Sequence, residues 1–235
     1  MKAVSFLIFL IGFPFAMDAQ IGRIIDRAKD KVGLGEDEVA AGLKEALEKG
    51  ANTASQTLSI EDGYYKGLYK ILLPDEAQTV VRRVSSVPGF QNLEEDLVLR
   101  INRAAESAAS KAKPIFSSAI RSMSIRDATD ILMGADNAAT SYLQRTTFDA
   151  LYAEFLPVIQ AALEEVNAIE LWESAATTYN RMPMVRRVET RLDVHVANRS
   201  LEGLFSMVEQ EELRIRSDVN ARTSDLLKKV FARQD

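Results

Sequence analysis

The chain has 235 residues, 29 basic against 34 acidic side chains and a formal net charge of −5. That balance disfavours general nucleic-acid binding, which needs a basic face to neutralise phosphates, and adhesion to anionic lipid by overall charge. With no cysteine, disulfides, thiolate metal sites and the lipidated cysteine of a lipoprotein are all excluded.

The N-terminus reads as an export leader. Lys2 precedes an apolar run over residues 4–15, and Ala16, Asp18, Ala19 and Gln20 follow it. The run is shorter than the roughly 20 apolar residues a bilayer span takes, so a secretory signal over residues 1–19 is expected. Cleavage after Ala19 places a small residue at the cut, with the larger Met17 two positions before it; a short membrane-tethered signal anchor is the alternative. The address implied is periplasmic or extracellular, with no integral span left after cleavage. Residues 20–35 carry Gly22, Gly33 and Gly35 and read as a loosely attached lead-in to a helical domain over residues 36–235. That length suffices for a core without cross-links.

From Glu36 onward, apolar residues recur at three- and four-residue spacing. Val39, Leu43, Leu47, Ala54 and Leu58 form one stripe, and Leu93, Leu97, Ile101, Ala105, Ala108 and Ala112 a second. Phe148, Leu151, Phe155, Ile159 and Leu163 form a third, and Val194, Ala197, Leu201, Leu204, Val208 and Ile215 a fourth. This is the period of amphipathic helices facing a core. Start signals stand at Asn92 with Glu95, Ser124 with Asp127, Thr146 with Asp149 and Asn167 with Glu170. Pro114 is expected to open a new helix, Gly134 to stop one and Pro183 to follow one. Two stretches resist helix: residues 60–74, with Gly63, Gly67, three tyrosines and Pro74, and residues 182–188. The fold class is therefore all-α, a single-domain helical bundle with short extended or loop segments at those two places. The alanine-rich second helix should sit centrally, with Phe148, Tyr152 and Phe155 of the third filling the space its small side chains leave.

Three blocks carry a resemblance. The first runs from Asn102-Arg103-Ala104-Ala105-Glu106 through Ala112 to Phe116 and Met123. The second holds Asp127-Ala128, Gly134, Asp136 to Thr140, Tyr142 and Thr146-Thr147. The third holds Leu204-Phe205, Glu211-Glu212, Ile215-Arg216, Ala221-Arg222-Thr223 and Leu226 to Phe231. Together they resemble a bacterial secreted family known as domain of unknown function 4197. The resemblance spans about residues 36–231 and implies an all-helical exported protein; it supplies no catalytic residue.

Several groups are candidates for binding. Asn102, Arg103 and Glu106 interrupt an apolar, alanine-rich helix and must find partners there. They form either an internal network or, with a second carboxylate such as Glu212, the acid of a hydrolase. Glu211, Glu212, Arg214, Arg216 and Arg222 form either an ion-pair network docking the last helix, from Ser224 to Phe231, or an arginine clamp for an anion. Asp127, Asp130 and Asp136 read as helix caps before an oxygen site for Ca²⁺ or Mg²⁺, because their spacing is not that of an EF-hand. Thr140 and Arg145, in the second block, complete the ligand-binding candidates. His195 is the only histidine, without the partners of a zinc site or a hydrolase triad, and reads as a surface or capping residue. Tyr64, Tyr65, Tyr69, Trp172 and Tyr179 close a core or line a sugar or peptide groove.

The function expected is that of an exported helical protein without a cofactor, binding a small ligand or an envelope protein without catalysis. A carboxylate-based hydrolase of an envelope polymer is the alternative. A third reading, a helix face lying on lipid, lacks the basic amphipathic face it needs.

Overall fold

Eight α-helices and two 3-10 turns, with no strand, account for the regular structure of the described residues. The computed structural model describes residues 34–126 and 128–234. The proposed leader, all but the last two residues of the lead-in, and Asp127 lie outside the described residues. The helices are α1 (Glu36–Leu58), α2 (Asp75–Val84), α3 (Leu93–Ser122), α4 (Ala128–Leu132), α5 (Ala138–Glu165), α6 (Ala168–Asn180), α7 (Leu192–Ser217) and α8 (Asp225–Phe231).

The centre is built from α1, α3, α5 and α7, which pack against one another, while α2 lies on α6 and α8 on α1. Ala104, Ala105, Ala108, Ala109 and Ala112 of α3 are all buried. Their small size permits the close approach of α1 and α5. Phe155 of α5 fills the core as expected. Phe148 is half-buried and stacks on Phe205 of α7 at 6.3 Å, and Phe205 meets Phe116 of α3 at 5.2 Å.

Several boundaries differ from the sequence reading. Pro114 does not open a helix; it lies inside α3, exposed, one turn after the exposed Ser110 whose carbonyl it leaves without a helical partner. The buried Ala112, Phe116 and Ile120 on either side carry the helix through. Thr146 is likewise interior to α5, its hydroxyl donating back to the Tyr142 carbonyl at 2.8 Å. Asn92 and Asn167 stand at helix starts as expected, but neither side chain accepts a first-turn amide. Asp136 is exposed and precedes Asn137, the true first position before α5, so it caps nothing. Ser224 does cap α8, accepting the Leu227 amide at 3.0 Å.

Residues 60–74 form a series of turns followed by an extended run into α2. The turns are tight. A side chain on Gly67 would sit 2.2 Å from the Gly63 carbonyl oxygen, so only glycine fits there.

Candidate functional site

Three side chains of α3 hold the 60–74 segment. Asn102, fully buried, accepts the Ile71 amide at 2.8 Å and donates to the Ile71 carbonyl at 2.8 Å and to Val98 of its own helix at 2.6 Å. Its amide thus takes the place of a neighbouring strand for one extended residue. Glu106 Oε1 accepts the amides of Tyr64 (3.1 Å) and Tyr65 (3.0 Å), and its Oε2 accepts from Arg103 at 2.6 Å. Arg103 also donates to Asp62 at 2.8 Å. Its bonds to Glu106 and then Asp62 hold the guanidinium firmly charged. The Asp62 carboxyl, bonded to Lys66 and to Arg103, is held below the usual carboxylate range.

The same segment is tied to α7. The buried Tyr64 hydroxyl donates to the Ser200 carbonyl at 2.8 Å, and burial pushes its ionisation up. Tyr69 meets Ser206 at 3.0 Å and accepts from Gln210 at 2.6 Å. His195 Nε2 lies 2.8 Å from the Leu72 carbonyl, so Nε2 carries the proton; burial lowers the pKa of the ring. His195 is a tie between helix and loop and caps no helix. Between the segment and α7 runs a groove of about 630 Å³, lined among others by Lys70, Leu72, His195, Arg199, Glu202 and Ser206.

The second cluster gathers at the start of α5. Glu212 of α7 accepts the first-turn amides of Ala139 (3.0 Å) and Thr140 (2.7 Å) and the Thr140 hydroxyl (2.6 Å). It is a cap delivered from another helix. Arg216, one turn further on, donates to Glu212 through Nε (2.9 Å) and Nη2 (2.7 Å) and to the Leu132 carbonyl at the end of α4 at 2.6 Å. Its guanidinium lies 5.7 Å from the ring centre of Phe231 in α8. Arg222 donates to the Ile215 and Arg216 carbonyls at 3.0 and 2.9 Å, closing the end of α7. Glu211 pairs with Lys49 of α1 at 3.2 Å and with Arg214 at 3.1 Å. Of the other candidates, Asp136 is exposed, and Arg145 is exposed beside the Tyr142 ring at 5.4 Å.

A second groove, about 620 Å³, lies between α6 and the start of α7. Here Arg191 (2.6 and 2.9 Å) and Gln160 (2.8 Å) hold Asp193, whose carboxyl is lowered to about 2, chiefly by Arg191. Trp172 donates its indole N–H to the Thr190 carbonyl at 3.0 Å. Asp193, Lys70, Arg199 and Glu202 were not legible as groove residues. Arg199 and Glu202 form an exposed i,i+3 pair at 2.7 Å, which in sequence is indistinguishable from any solvated helix face. Among the described residues, no group of three or more His, Cys, Asp or Glu side chains is placed to hold a metal ion. No helix among them is long and apolar enough to cross a membrane.

Fold and clusters together define an all-helical bundle whose buried charges are bound by its own backbone and side chains. The chain belongs to the family described as protein of unknown function DUF4197, which matches residues 33–232, nearly the stretch over which the sequence resembled it. No curated protein and no solved structure matches the chain.

Proposed function

We propose that this protein is an exported, non-catalytic binding module of the cell envelope, and that its ligand lies in the groove between residues 69–75 and α7. One observation carries the reading. Glu106 and Glu212, the carboxylates best placed for hydrolysis, are both saturated by donors of the protein itself. A general acid needs a proton and a path to a substrate, and neither group is positioned to offer them. The groove, by contrast, has the volume of small-ligand sites. It presents Lys70, Arg199 and Glu202 to solvent around an apolar floor of Ile71 and Leu73. The basic start and apolar run over residues 4–15, which read as an export leader, support the envelope address.

The test is native mass spectrometry of the protein purified from its own envelope. The mature mass should begin at Gln20, with a bound species that is lost in Arg199→Glu. Turnover of an envelope polymer, abolished by Glu106→Gln or Glu212→Gln in a folded protein, would instead establish the hydrolase. A chain recovered from the cytosol with residues 1–19 intact would overturn the address.

A further inference from the structure

We propose that residues 64–74 dock this protein onto the surface of a phospholipid bilayer, with Leu68 and Leu72 entering the acyl boundary and Lys66 and Lys70 meeting anionic headgroups. The eleven residues Tyr-Tyr-Lys-Gly-Leu-Tyr-Lys-Ile-Leu-Leu-Pro contain two lysines and no acid, within a chain of net charge −5. The absence of a basic helix face is therefore no obstacle, because the charge and the apolar residues are gathered on one loop.

The side chains divide as an interfacial segment requires. Ile71 and Leu73 turn inward and are buried, whereas Leu68 is 85 % and Leu72 59 % exposed. Lys70 is exposed, in no ion pair among the described residues, with its Nζ 4.4 Å from the ring centre of Tyr65. Lys66 pairs with Asp62 at 2.8 Å, yet its side chain is 71 % exposed. Aliphatic tips rimmed by lysine and tyrosine suit the boundary between headgroups and chains, where amphipathic rings and basic ends reside. The acids at the start of the loop are already paired: Glu61 and Asp62 both turn to Arg103, at 3.5 and 2.8 Å, and Asp62 also holds Lys66.

The loop is also rigidly presented. Glu106 holds it at Tyr64 and Tyr65, Asn102 at Ile71 and His195 at Leu72. Insertion then costs little ordering of the backbone. A bilayer fits better than a protein partner, because Leu68 lies outside the groove and almost wholly in solvent, with the exposed Lys66 and Lys70 two residues to either side.

The absence of cysteine makes the test specific. Leu68→Cys carries a single environment-sensitive fluorophore, and Met184→Cys, fully exposed on another loop, serves as the control. Each is mixed with vesicles of phosphatidylethanolamine and phosphatidylglycerol. The label at 68 should shift to the blue and brighten while that at 184 stays in water. Leu72→Asp, at a side chain 59 % exposed, should weaken the partitioning by about tenfold or more. A label at 68 that remains aqueous, equal shifts at both positions, or partitioning indifferent to Leu72→Asp would overturn the proposal. Attachment through residues 1–19 alone would leave position 68 in water. The assay is independent of where the cell sends the protein, so it stands or falls apart from the envelope reading.

Discussion

Glu212 on α7 holds the backbone amide of Thr140 at 2.7 Å, across 72 residues of chain. The bond makes a carboxylate the cap of a helix it does not belong to, and Arg216, also buried, takes its counter-charge from it. Glu212→Ala leaves that guanidinium buried without its counter-charge, at a cost of about 3–5 kcal/mol. Urea unfolding should show the loss as a lowered midpoint, and Arg216→Ala should lower the melting temperature as well. The pair Glu212→Leu with Arg216→Met should cost less than the sum of the single changes.

Release of the 60–74 loop is the expected result of changing its anchors. Asn102→Ala removes three hydrogen bonds, and Glu106→Gln places an amide donor against Arg103 or against two backbone amides. Each should destabilise by about 1–3 kcal/mol. Trypsin should cut at Lys66 and Lys70 faster in both variants than in the wild type, with the remaining helices intact by circular dichroism.

Stability should fall below neutral pH through His195. Its folded pKa lies below the ordinary value because burial disfavours the cation. As pH falls, the unfolded chain therefore takes up the proton first. The contribution is complete above about pH 6.5 and is lost as pH drops below it. His195→Gln keeps a donor for the Leu72 carbonyl and should flatten the slope of urea midpoints between about pH 8 and pH 5.

At the acid end the group is Asp193, with a folded pKa of about 2 against an ordinary value of 3.8. Its stabilisation is present above the ordinary value and disappears as pH falls through the folded one. Asp193→Asn should remove part of the acid-unfolding limb in that window. Added salt should mimic part of this effect, since Arg191 is exposed.

Gly42 sets how closely α8 lies on α1. A Cβ there would come within 2.6 Å of Val230 Cγ2 and 2.9 Å of Val230 Cβ. Gly42→Ala gains about 1 kcal/mol of helix propensity and loses about 1–3 kcal/mol to overpacking. The expected outcome is a net loss by thermal unfolding, which Val230→Ala should relieve by making room.

The helices were legible because their apolar stripes repeat over many turns, as with Ile101, Ala105, Ala108 and Ala112. Their continuity was not: Pro114 and Thr146 carry local start signals, and burial on both sides overrides those signals. The need of Asn102, Arg103 and Glu106 for partners was readable from polar groups set among alanines. The partners themselves were not, since the Tyr64 amide lies 42 residues from Glu106 and only the packed chain brings them together. Asp136 illustrates the converse. Its place before a helix suggests a cap, but Glu212 fills that role from a distant part of the chain.

The central claim is that the buried carboxylates of Glu106 and Glu212 bind backbone amides. Amide hydrogen exchange at Tyr64, Tyr65, Ala139 and Thr140, residue by residue in the native protein, tests it most directly. The account predicts strong protection at all four, lost at the first two in Glu106→Ala and at the last two in Glu212→Ala. Rapid exchange at these amides in the wild type would contradict it and leave both carboxylates available for chemistry.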